Sequence, residues 1–272
     1  MDIYKPNRYW ENRLRHSMNL EGVGCLGKGM LYNTYLYRSK VRAMEKGLRR
    51  IGIEELMQMS VLDLGTGTGF WIDYFLNRGA GICVGVDITE ASVDFLSRKF
   101  SSEQATFVRS DLSDPNLPKL IDKNFDLVTA IDVLYHIISD DLLEQTVKNI
   151  SQLINDQGWF VFSDVLNLPQ GKESSASHVK WRSRKVWEKL IYDNGFLIRA
   201  EVPMYVFMHA AITGPLVLKY CINIINYRIT PRISKSSFGG KIFLSFLSAL
   251  DQLTTSIGGT SLYMVFAQKV RR

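Results

Sequence analysis

The segment Val61-Leu62-Asp63-Leu64-Gly65-Thr66-Gly67-Thr68-Gly69-Phe70 runs from an apolar stretch into a glycine-rich turn. Glycines at such a turn let the backbone approach a ligand where a Cβ would obstruct it. The spacing is G-x-G-x-G, not the G-x-G-x-x-G of dinucleotide sites, and Asp63 stands two residues before the first glycine. A carboxylate there repels phosphate but can hold an ammonium group, directly or through water. A second apolar run ends at Asp87, 22 residues after Gly65, where a carboxylate can accept hydrogen bonds from the two hydroxyls of a ribose. A third is followed by Ser110-Asp111-Leu112, which puts another acid where an exocyclic amine can bind.

A ligand with an amino-acid end, a ribose and an adenine but no pyrophosphate satisfies all three acids, and S-adenosylmethionine is such a ligand. Two histidines are candidates for moving a proton from an acceptor. His136 follows a fourth apolar run, at the sheet edge where ligands bind in open α/β folds, and is either a general base or a residue that orients its loop. His178, just before Lys180-Trp181-Arg182, is the second base candidate, against a solvated loop residue. His209 reads as a cap residue and His16 as a surface one. Asp140-Asp141 resembles half of a magnesium site, but its place in a first helical turn fits complementation of the helix dipole, and no metal site is expected. Tyr4, Tyr9, Trp10, Tyr32, Tyr35 and Tyr37 either close over a sulfonium cation or pack as an aromatic-rich cap.

The elements that must position these residues follow from hydrophobic pattern. From Ser60 to about Val165, short apolar runs alternate with amphipathic segments of helix length, at Val61–Leu64, Ile82–Asp87, Thr106–Val108, Phe125–Ile131 and Trp159–Phe162. Continuous apolar runs mark strands buried on both faces, and helix-length spacers imply crossovers between parallel strands. Further strands are expected at Phe196–Val202 and Ser261–Ala267, and Thr89, Ser139 and Asn194-Gly195 read as helix punctuation. The fold class is α/β, a doubly wound, mostly parallel seven-stranded sheet. A helical N-terminal cap is expected over residues 1–57 and the main domain over 58–272, with a cofactor-binding core at 58–168 and a helical insertion at 203–258 between the last two strands. The apolar block from Tyr205 to Ile225 is long enough to cross a bilayer but contains His209, Pro215, Lys219 and Asn223, and reads as a cap or an interfacial lid.

The stretch from Val61 to Val165, about 105 of 272 residues, resembles the core of class I S-adenosylmethionine-dependent methyltransferases. The glycine motif, the acids after the second and third strands and the block Phe125 to His136 carry the resemblance. It implies that the methionine end of the cofactor lies on Asp63 and on Gly65, Thr66, Gly67 and Gly69, the ribose on Asp87 beside Ile88, the adenine near Asp111 and Leu112, and the amino group near Ile131 and Asp132. One departure is Asp156-Gln157-Gly158, where the family's turn before strand five commonly has Pro-Gly-Gly. Another is Asp132-Val133-Leu134-Tyr135, which stands in place of the Asn/Asp-Pro-Pro-aromatic motif of nucleic-acid amino-group methyltransferases. The resemblance therefore implies a small-molecule acceptor, most simply a hydroxyl on a partly hydrophobic natural-product, lipid or sugar-type scaffold, with transfer to carbon or nitrogen, or a cofactor-binding protein without catalysis, as the alternatives.

Composition sets the remaining bounds. With 46% apolar and 22% charged residues the chain can bury a large core, which argues against disorder. Cys25, Cys83 and Cys221 form no C-x-x-C pair, so neither a disulfide framework nor a zinc site is indicated, and a reduced cytoplasmic setting is expected. The net charge of +6 names no nucleic-acid partner, yet it is unevenly spread. Residues 1–57 have 11 basic and 6 acidic side chains, 58–168 have 7 and 16, and 169–272 have 15 and 5. An acidic core suits a cationic cofactor, and the basic flanks suit an anionic acceptor or peripheral membrane contact.

Overall fold

Seven strands pair into one sheet: β1 (Ser60–Leu64), β2 (Ile82–Asp87), β3 (Ala105–Arg109), β4 (Phe125–Ala130), β5 (Ile154–Asp164), β6 (Phe196–Pro203) and β7 (Tyr263–Lys269). The computed structural model describes residues 4–168 and 178–270, so most of the polar stretch from Asn167 to Ser177 lies outside the described residues. Strand order is β3-β2-β1-β4-β5-β7-β6; β1 to β5 run parallel and β7 is antiparallel to both its neighbours. The order reverses between β1 and β4, and in such sheets the crevice beyond the carboxyl ends of these strands is where ligands bind.

Alternate strand residues feed two separate cores. Val61, Leu127 and Val161 point to one face, Leu62, Val128, Phe160 and Phe162 to the other. The first face is covered by α3 (Gly29–Arg50), α4 (Phe70–Asn77) and α11 (Ser237–Thr254), the second by α6 (Leu117–Ile121), α7 (Asp140–Leu153) and α8 (Arg184–Asp193) among others. Capping is as the sequence suggests. Thr89 caps α5 (Glu90–Lys99) by accepting from Ser92 N, and Ser139 caps α7 by accepting from Leu142 N. Asp140 and Asp141 occupy the first turn of α7, where their charge complements the helix dipole.

One local expectation needs correction. The turn expected before β5 is a bulge inside it: Phe125 pairs with Ile154 but Leu127 already pairs with Trp159, and Gln157 takes up a left-handed φ of 66°. The apolar block from Tyr205 to Ile225 is not one helix. Residues 205–215 are irregular and tied to the chain before β7, Ile212 N and Thr213 N both donating to Thr260 O. Only then do α9 (Leu216–Ile224), a π-helical turn (Ile225–Ile229), α10 (Thr230–Ile233) and α11 follow. Among the described residues no helix is long and apolar enough to cross a membrane.

The N-terminal helices α1 (Pro6–His16), α2 (Leu20–Val23) and α3 are built into the main core. Tyr32, Leu36, Met44 and Leu48 of α3 share one apolar cluster with Val61 of β1 and Phe266 of β7. At Gly47 α3 meets β7 closely, since a Cβ there would sit 1.9 Å from the Phe266 ring. Gly47→Ala gains helix propensity of about 1 kcal/mol but overpacks a filled core, which costs about 1–3 kcal/mol or more. Chemical denaturation of this variant should therefore show a net loss of stability, and a gain would mean that α3 does not dock as described.

Candidate active site

Leu64 ends β1, and the chain then turns through Gly65, Gly67 and Gly69, with φ of 70°, 53° and 74°. These are left-handed values that side chains with a Cβ rarely adopt. Space enforces the choice as well. A Cβ on Gly65 would lie 2.5 Å from Val133 Cγ2, and one on Gly67 2.9 Å from Val23 Cγ1. The turn is pinned from β2: Gly65 N and Thr66 N donate to Val86 O, Gly67 N donates to Asp87 Oδ2 at 2.8 Å, and Ser92 Oγ donates to Gly67 O.

This turn forms one wall of a cavity at the carboxyl ends of β1, β2 and β4. Of the residues expected to hold the cofactor, Gly65, Thr66, Gly67, Asp87, Ile88, Asp111, Leu112, Ile131 and Asp132 line it. Asp63 and Gly69 do not. Asp63 is buried behind the turn, one oxygen accepting from Thr129 Oγ1 at 2.7 Å and Oδ2 left without a partner, and burial pushes its carboxyl up to about 7. Gly69 faces Leu96 and Phe100. Asp87 has little accepting capacity to spare, because Thr89 N and Thr89 Oγ1 bind its Oδ1 while Gly67 N binds Oδ2. Asp111 accepts from Ser113 N and Oγ.

His136, on a short 3₁₀ turn after β4, lines the same cavity. Its Nδ1 lies 2.8 Å from His178 O. A carbonyl only accepts, so Nδ1 carries the proton and Nε2 presents a lone pair. Desolvation pulls the imidazole down to about 4, against the raising effect of the His178 carbonyl. The His178 side chain is not on the cavity wall; its ring stacks behind, 5.6 Å from that of His136 and 5.1 Å from that of Tyr9. The N-terminal aromatics divide in the same way. Tyr4, Trp10 and Tyr37 line the cavity, Tyr32 is buried and donates to Met208 O, and Tyr35 meets Ser245 on α11. His209 is within hydrogen-bond reach of Ser261 Oγ at 2.9 Å, away from the cavity. No cluster of His, Cys, Asp or Glu able to hold a metal occurs among the described residues.

Sequence reasoning missed Lys40. It projects from α3, is nearly fully buried, pairs with Asp132 Oδ2 and lies 3.7 Å from the centroid of the Tyr37 ring. Asp132 itself has a left-handed φ of 62°; its backbone N donates to Ser163 Oγ at 2.7 Å and its Oδ1 accepts from that hydroxyl. The signal was present, since Lys40 stands in the buried stripe Leu36, Lys40, Met44, Leu48, where a solvated lysine has no place.

A family model described as "Methyltransferase domain" matches residues 35–199, more than half of the chain. The chain belongs to this family of methyltransferase domains. It is similar to the ribosomal protein L11 methyltransferase of Lactobacillus johnsonii, with 28% identity over 162 residues, 59% of this chain and 42% of that protein. It also matches the tRNA U34 carboxymethyltransferase of Dichelobacter nodosus, with 38% identity over 79 residues, 28% of this chain and 24% of that one. The chain thus spans less than half the length of these curated relatives. Among solved structures, magnesium protoporphyrin IX methyltransferase (ChlM) from Synechocystis PCC 6803 with bound SAH superposes with a TM-score of 0.55 at 15% identity, over 97% of both chains. The [4+2]-cyclase SpnF does so with 0.54 at 12%, over 87% of this chain and 81% of its own. Such distant likenesses establish the fold alone.

The cavity suits S-adenosylmethionine on its own terms: a turn of left-handed glycines at the carboxyl end of β1, with Asp87, Asp111 and Asp132 and the aromatic rings of Tyr4, Trp10 and Tyr37 on the wall. Lys40→Met, which strands the Asp132 carboxylate, should cost about 3–5 kcal/mol in urea unfolding. Burial disfavours both charges, and their mutual attraction more than offsets it, raising Lys40 and lowering Asp132. The pair's contribution is accordingly complete at neutral pH; it is lost at the acid end as pH falls through the depressed Asp132 value and at the alkaline end as pH rises through the raised Lys40 value. A Lys40→Met variant as stable as wild type at pH 7 would remove the pair from this role.

Proposed function

We propose that this cavity methylates a hydroxyl oxygen on a small, partly apolar acceptor, with His136 as the base. The observation that carries this reading is the His136 ring on the cavity wall, its Nδ1 tied to His178 O and its Nε2 available. We further propose that Gly65, Thr66 and Gly67 receive the amino-acid end of the cofactor, with Asp63 acting from behind the turn and Gly69 shaping it. Asp87 and Ile88 take the ribose, Asp111 and Leu112 the adenine, and Ile131 and Asp132 the amino group's surroundings. When bound, S-adenosylmethionine supplies a sulfonium methyl as the activated carbon for in-line displacement. Tyr4, Trp10 and Tyr37 offer aromatic faces beside a developing or existing cation, while Leu14, Ile137, Ile138 and Leu142 give the wall an apolar part for the acceptor. His136 Nε2 accepts the hydroxyl proton as oxygen takes the methyl group. His178 contributes through its carbonyl, which fixes the His136 tautomer; its own ring is not placed as a base.

A protein or nucleic-acid acceptor is the second reading, favoured by the names of the curated relatives, which concern a ribosomal protein and a tRNA. The apolar part of the cavity wall, Leu14, Ile137, Ile138 and Leu142, supports the small molecule. Incorporation of labelled methyl into the small-molecule fraction of an extract, and not into protein or RNA, is the outcome that distinguishes them.

Two further outcomes are expected. S-adenosylhomocysteine should raise the melting temperature and NAD should not, and Gly65→Ala, which drives a Cβ into Val133, should abolish the shift. If neither nucleoside moves the transition, the cavity is not the cofactor site. His136→Gln should lower turnover about 10²–10⁴-fold with cofactor affinity retained. Because the neutral ring is lost only as pH falls through about 4, kcat/KM should show no histidine limb between pH 6 and 8. A limb near 6.5 that the variant removes would contradict the environment described for His136.

A further inference from the structure

Between Glu201 and Asp251 the chain has no acidic residue and five basic ones, Lys219, Arg228, Arg232, Lys235 and Lys241. The ion pairs among the described residues all involve other side chains. This segment also concentrates the large apolar side chains that remain in water. On α9 and the π turn, Leu216, Val217, Tyr220 and Tyr227 are 85%, 78%, 69% and 65% exposed, and they recur at helical spacing. On α11, Phe238, Ile242, Phe246 and Leu253 do the same, while Leu244 and Leu247 on its other side are buried in the core. Helix α11 therefore has two apolar faces, and folding uses only one. Leu26 and Met30, also exposed, extend the patch into the segment that Ser234 Oγ, donating to Lys28 O, ties to the insertion. Lys219 donates to Ile212 O and Arg232 to Arg228 O, but none of the five cations has a carboxylate partner among the described residues, and an apolar surface this extensive marks an interaction site.

We propose that the helical insertion docks this chain onto an anionic lipid bilayer, its exposed Phe, Ile, Leu and Tyr side chains entering the headgroup–acyl boundary and its Lys and Arg side chains meeting lipid phosphates. Charge and chemistry select the bilayer. A second copy would bring the same five cations against these, and a nucleic acid would offer phosphates but no apolar phase for Leu216, Val217 or Ile242. No described helix can cross the membrane, so the contact is interfacial. The docking surface is separate from the methyl-transfer cavity, and the proposal stands without the choice of acceptor.

The test is co-sedimentation of the full chain with phosphatidylcholine vesicles with and without phosphatidylglycerol, at low and high salt. Binding should be about tenfold or more stronger with phosphatidylglycerol and should weaken with salt. Phe238→Ser with Phe246→Ser, and separately Lys235→Glu with Lys241→Glu, should each lower it about fivefold or more, with thermal stabilisation by S-adenosylhomocysteine unchanged. Absence of vesicle binding at low salt overturns the proposal, as does binding indifferent to lipid charge or to both variants. Light scattering that shows a stable dimer dissolved by the Phe238/Phe246 variant would assign the surface to a second copy and overturn it equally.

Discussion

The site depends on one enclosed ion pair. Asp132 is the second residue beyond β4, in a left-handed conformation unfavourable to any residue with a side chain, and three contacts hold it there: Lys40 from α3, and the Ser163 hydroxyl of β5 at both its backbone N and its carboxylate. The next residue, Val133, packs against the position where Gly65 lacks a Cβ. An N-terminal helix, two central strands and the glycine turn thus meet at a single charge. The N-terminal segment does more than cover the sheet, because without Lys40 the carboxylate at the cavity wall has no counter-charge.

The same arrangement explains why the acidic middle of the chain coexists with basic flanks. Three carboxylates at the carboxyl edge are treated differently by their surroundings. Asp63 is pushed up to about 7 by burial, Asp87 is also raised by burial despite three hydrogen bonds, and Asp132 is lowered by Lys40. Only the last is neutralised by a lysine of the chain. Of the first two only Asp87 reaches the cavity wall, while the five basic residues between Glu201 and Asp251 lie on the insertion.

The sheet was legible because buried parallel strands are nearly continuous apolar runs, and the cofactor crevice because glycines and acids mark strand ends at fixed spacing. What escaped reading depended on tertiary contact. The bulge at Asn155–Gly158 exists because β5 pairs with β4 in two registers, which no local pattern encodes. The breakup of Tyr205–Ile225 depends on hydrogen bonds to Thr260, distant in sequence. Asp87 satisfied by Thr89 and Gly67, the ring of His178 behind His136, and Asp63 behind the turn are matters of orientation, which residue type does not specify. Lys40 shows the opposite case, a residue whose place in an apolar stripe announced burial but not its partner.

The most direct measurement is a crystal structure with S-adenosylhomocysteine bound. The amino-acid end is expected against Gly65–Gly67 and the adenine against Asp111 and Leu112, with Lys40 still paired to Asp132 and His136 Nε2 facing the space beside the sulfur. A ligand bound elsewhere, or a cavity that accepts it only after the Lys40–Asp132 pair has opened, would contradict it.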